Sequence, residues 1–106
     1  MALMNWKYSN GFNPTEFVTA LSISDDYSLT EEERDLFLSF TCSAASKKIT
    51  LGIEPNQFMI VANVGGTNAV TVAAIKNDTG TSVGAGKVAL VIGSATANAS
   101  KIYVLN

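Results

Sequence analysis

The sequence predicts an all-β fold, an antiparallel β-sandwich or barrel of about six to eight short strands. Three observations carry that reading. Apolar, partly β-branched runs recur at short intervals through the second half, and Gly, Asn and Asp separate them. Ser, Thr and Asn supply 29 of the 106 residues (10, 10 and 9), and these residues suit turns and pleated surfaces. With 47% apolar and only 15% charged residues, one packed core is within reach and a second domain has no room.

Residues 1–13, with Trp6, Tyr8 and Phe12 among Asn and Gly, read as an N-terminal arm, and residues 14–106 as a single β domain. Aromatic rings bury much area for few rotatable bonds, which gives such an arm a reason to pack on its own domain or to reach a neighbouring subunit. A strand is predicted over Thr15–Ile23, where Phe17, Thr19, Leu21 and Ile23 share one face. Thr30-Glu31-Glu32-Glu33 matches a helix capping box, whereas Leu36, Leu38, Phe40 and Cys42 alternate with polar or aromatic neighbours in a strand period. One short helix near Glu31–Asp35 followed by a strand near Leu36–Ser43 satisfies both signals. A turn over Ala44–Lys47 then leads to a strand over Lys48–Ile53.

Phe58–Asn63, the Gly65-Gly66 turn and Ala69–Ile75 read as strand, turn, strand. Asn77-Asp78-Thr79-Gly80 is the next turn, because Asn and Asp tolerate left-handed backbone and Gly adopts it without penalty. Thr81–Val83, Lys87–Ile92 and Lys101–Leu105 complete the strands, with a turn at Gly84-Ala85-Gly86 and a loop over Gly93–Ser100. No internal repeat is visible.

The chemistry is marked by what the sequence lacks. There is no histidine, so the commonest general base and metal ligand is missing, and Cys42 is the only cysteine. No internal disulfide can form, and Cys42 reads as a small core hydrophobe. A formal charge of −2 argues against a nucleic-acid partner, which calls for a basic stripe. Gly84-Ala85-Gly86-Lys87-Val88-Ala89 fits a dinucleotide-binding pattern by spelling only, because the glycines lead into a strand run where that motif needs a helix N-terminus. Glu31-Glu32-Glu33 with Asp25 and Asp26 reads as a solvated acidic surface. No cofactor, metal, membrane span or small-molecule ligand is expected, and the chain is read as a non-enzyme.

Residues 47–106 resemble small β-sandwich virion proteins of tailed bacteriophages, of the capsid decoration and head or tail fibre type. The likeness rests on Phe58-Met59-Ile60-Val61-Ala62-Asn63 ending in Asn, on Gly65-Gly66-Thr67, on the Thr-Val alternation at Val70-Thr71-Val72, and on Ala85-Gly86-Lys87 entering another apolar run. The resemblance implies a virion structural protein, assembled in the host cytoplasm and often trimeric, that stabilises the capsid exterior by binding the major capsid protein or another virion protein. Trp6, Tyr8 and Phe12 are the residues expected at a contact between subunits. A carbohydrate-binding or fibre module, stacking sugars on Trp6, Tyr27 and Tyr103, is the second expectation.

Overall fold

The structure is a computed structural model and describes residues 18–105. Nine strands succeed one another among these residues. They are β1 (Val18–Ile23), β2 (Tyr27–Ser28), β3 (Phe37–Cys42), β4 (Lys47–Thr50), β5 (Phe58–Asn63), β6 (Val70–Ala73), β7 (Thr81–Val83), β8 (Val88–Ile92) and β9 (Lys101–Leu105). They build two sheets, ordered β1-β3-β5-β8-β9 and β2-β4-β6-β7. Apolar side chains at every second position of these strands meet in one core between the sheets, which is the predicted all-β sandwich.

The expectation of an antiparallel sandwich is corrected. β1–β3, β3–β5, β2–β4 and β4–β6 pair in parallel, and only β5–β8, β6–β7 and β8–β9 are antiparallel. Along the chain, β1 to β6 alternate between the two sheets, so the first six strands wind as three stacked turns of a coil. Val18 lies opposite Phe37, 19 positions on, and Phe37 opposite Ile60, 23 positions on. Structural repetition therefore exists without sequence repetition. Each turn of the coil needs only apolar residues pointing inward at period two, and many sequences satisfy that.

A period of two has the same form in parallel and antiparallel sheets, so the pattern could not tell a hairpin from a corner. Gly65-Gly66 is such a corner: it carries the chain from β5 in one sheet to β6 in the other. A Cβ on Gly65 would lie 2.4 Å from the Thr41 Cγ2 atom of the preceding coil turn, so this corner packs against β3 only if it has no side chain. The Asn77–Gly80 turn, by contrast, closes a true hairpin between β6 and β7.

The ambiguous segment resolves as both signals required. Glu31–Glu33 form one 3-10 turn, and Phe37–Cys42 form a strand whose buried and half-buried residues alternate. Glu33 Oε1 accepts the Thr30 N–H at 2.9 Å, and both Glu33 oxygens accept the Tyr27 hydroxyl at 2.8 and 2.7 Å. Burial pushes the Glu33 carboxyl up, but the bonds from Thr30 and Tyr27 together outweigh it and hold the group below the ordinary glutamate range. The predicted strand over Lys48–Ile53 ends at Thr50. Leu51 and Gly52 still donate to Ala73 O and Ala74 O at 2.8 Å, so the pairing outlasts the regular strand.

The core is fully dry at Phe40, Ile49, Leu51, Met59, Val61, Val70, Val72, Val83 and Val91. Of the two buried polar side chains among the described residues, Asp78 sits in the β6–β7 turn and Asn63 enters the core. Asn63, at the end of β5, is 1% exposed and donates through Nδ2 to Asn68 O at 2.8 Å and Val83 O at 3.0 Å. It ties the five-stranded sheet to the chain on both sides of β6, where an apolar side chain would leave two carbonyls short of a donor.

Candidate interaction surface

Because alternate residues point to opposite faces, the inward positions of each strand fix the outward ones. In the five-stranded sheet, Leu38, Phe40, Met59, Val61, Ala89 and Val91 face the core. Phe37, Phe58, Ile60, Val88, Leu90 and Ile92 therefore face outward, and all are half-buried. The register sets them in rows. Phe37 lies opposite Ile60, Ile60 opposite Leu90, and Leu90 opposite Tyr103; Phe58, Ile92 and Lys101 form a second row, and Ala62, Val88 and Leu105 a third. Cross-strand neighbours in such rows stand about 5 Å apart, so these side chains form one apolar area, bordered on β3 by Ser39, which lies opposite Ala62.

The four-stranded sheet shows the opposite character on its outer face. Lys48, Thr71 and Ser82 form one row there, and Ser28 lies opposite Thr50. That face is the ordinary solvated side of a sandwich. Among the described residues both sheets spend their inner faces on the shared core, and no third layer of strands covers the apolar face. Lys101 is the only charged side chain in the rows of that apolar face, and the described acidic residues lie outside the strands.

The apolar face runs out onto β9, where exposure rises. Tyr103 is 52% exposed, Val104 42% and Leu105 51%, although apolar side chains of this size usually keep less surface in water. Among the described residues β9 is one of the two edges of the five-stranded sheet, β1 being the other. Ile102 packs on the core, but Val104, two residues on and facing the same way, stays exposed.

A second polar feature is a small cavity of about 120 Å³ lined by Asp78, Thr79, Thr81, Asn98, Ser100 and Ile102. Its polar groups are largely engaged in holding two loops together. Asp78 Oδ1 accepts the Asn98 N–H at 2.5 Å, Asn98 Oδ1 accepts the Thr79 N–H at 2.7 Å, and Lys48 Nζ donates to Asp78 O at 2.6 Å. This reciprocal pair clamps the β6–β7 turn to the β8–β9 loop. Asn98 meets it with a positive φ of 61°, which Asn tolerates better than most residues.

The sequence-derived candidates fall unevenly. Trp6, Tyr8 and Phe12 lie outside the described residues. Tyr27 is packed on the core with its hydroxyl on Glu33, so its ring is not a free platform, whereas Tyr103 is open. Cys42 is buried and donates its thiol to Ala44 O at 3.1 Å. Gly84–Gly86 turn directly into strand β8, not into a helix. Among the described residues no three acidic or cysteine side chains converge on a point that could hold a metal ion. Sequence reading missed the apolar face, although its signal was present: β5 and β8 are apolar at both parities, Phe58-Met59-Ile60-Val61 and Val88-Ala89-Leu90-Val91-Ile92, as in strands covered on both sides.

What the fold and surface define is a two-faced β-sandwich with one wet and one apolar exterior. In comparison with known proteins the chain matches no family model, no curated protein and no solved structure.

Proposed function

We propose that this chain is a structural protein of a bacteriophage particle, a capsid decoration protein that works by binding and not by catalysis. The apolar outer face of the five-stranded sheet is the observation that carries this reading. A face holding Phe37, Phe58, Ile60, Leu90 and Tyr103 in register is costly in water and is stabilised by a protein partner that removes it from solvent. Bound only to the assembled shell, the protein stabilises that shell by mass action. The resemblance of residues 47–106 to virion sandwich proteins supplies the kind of partner, a major capsid protein or another virion protein. In the same reading Trp6, Tyr8 and Phe12 reach a neighbouring subunit.

The test is attachment to purified capsids. Leu90→Lys places a charge in the middle of the apolar row, and occupancy is expected to fall at least about tenfold, the cost of roughly 1.4 kcal/mol. Unchanged occupancy with an unchanged far-UV spectrum overturns the reading. A glycan-binding module has less support, because among the described residues Tyr27 is engaged and Tyr103 is the one expected platform with an open ring.

A further inference from the structure

We propose that two copies of this chain pair through β9, edge to edge and antiparallel, to join their five-stranded sheets into one sheet of ten strands. The four sheet edges are treated differently. β2 has two residues and β7 three, too short to template another chain, and β1 shows Ala20 and Ser22 on its outer side. β9 has five residues, four of them exposed, with Tyr103, Val104 and Leu105 consecutive. Sheet edges are normally guarded by charge, proline, bulges or brevity. Among the described residues only Lys101, at one end, guards this one.

The strand is complementary to itself. Antiparallel pairing centred on Tyr103 sets Tyr103 against Tyr103 of the second copy, Ile102 against Val104, and Lys101 against Leu105. Inward residues then meet inward residues. Val104, exposed although it faces the core side, gains Ile102 of the second copy beside it, and the two Lys101 side chains fall at opposite ends, away from each other. The same pairing joins the Phe37–Ile60–Leu90–Tyr103 row to its twofold image, giving eight apolar side chains in line.

Pairing at this edge also enlarges the outer face. Strands about 4.8 Å apart and five residues long give one sheet a flat face of roughly 320 Å², whereas the joined sheet presents roughly 730 Å². A stable interface takes about 800 Å² from each partner, so pairing brings the whole outer sheet face, with the polar Ser22, Ser39 and Thr41 included, close to that size. The inference thus rests in part on the face proposed above as the binding surface, yet the two can fail separately.

Light scattering on the full chain should give a mass of twice 11.2 kDa. Tyr103→Lys opposes two like charges on the twofold and should return the mass to one chain with an unchanged far-UV spectrum. Tyr103→Cys should form a reducible cross-link under mild oxidation, whereas Leu105→Cys, whose opposite residue is Lys101, should not. A monomer at about 100 µM, a trimer, or equal cross-linking by the two cysteine variants overturns the pairing, and the cross-linking decides even if Tyr103→Lys fails to fold. Leu90→Lys, one strand in from the edge, should remain a dimer while losing the capsid, so a dimer that never binds capsids sinks the function and leaves the pairing standing.

Discussion

The outer faces of the two sheets start from the same strand geometry and end in opposite chemistry. On the four-stranded sheet, Thr71 and Ser82 present hydroxyls and Lys48 reaches Asp78 O, so the outward row of that side is polar. On the five-stranded sheet, Phe37, Ile60, Leu90 and Tyr103 occupy the equivalent outward positions, and burying the inner face leaves this apolar surface unspent. Position in the sandwich does not explain the difference, since both faces are exterior among the described residues. A surface kept apolar where a polar one would fold as well is the premise of the contact proposed above.

The comparison breaks most visibly if stability and binding do not separate between inner and outer positions. Phe40→Ala, at the fully buried inner position of β3, should cost about 3–5 kcal/mol in chemical denaturation, because the packed core cannot close over the lost ring. Asn63→Ala comes next, at about 1–3 kcal/mol, since Asn68 O and Val83 O each lose a donor in a dry setting. A near-zero cost there would mean that the sheets are held in register without this residue. Ser82→Lys should do least. On the wet face it should shift stability by no more than about 0.5 kcal/mol and leave capsid occupancy intact, and a loss of occupancy matching that of Leu90→Lys would erase the distinction between the faces.

Much of this molecule is legible in its sequence. Phe58–Asn63, Thr81–Val83, Val88–Ile92 and Lys101–Leu105 lie where alternation and Gly or Asn punctuation put strands, because side-chain period and turn residues act locally. The capping box at Thr30–Glu33 and the strand after it were both readable, as a turn too short to propagate into an α-helix. β2 was not: two residues, Tyr27-Ser28, carry no period at all. The interaction surface was half legible. The double-sided apolarity of β5 and β8 is written in the chain, but the row that joins Phe37 to Tyr103 crosses four strands drawn from 67 residues of sequence, and only the register assembles it.

By itself the sequence determined that this chain forms strands, where its turns fall and that it offers no histidine, cysteine pair or basic stripe for chemistry, since all of these depend on residue type and near neighbours. Which strands pair, and in which direction, was decided only by the tertiary structure. The coil of parallel strands, the corner at Gly65, the clamp between Asp78 and Asn98 and the apolar exterior are all long-range. Their physical cause is the closing of two sheets on one core, a condition that fixes partners far apart in the chain and leaves no mark on either segment alone.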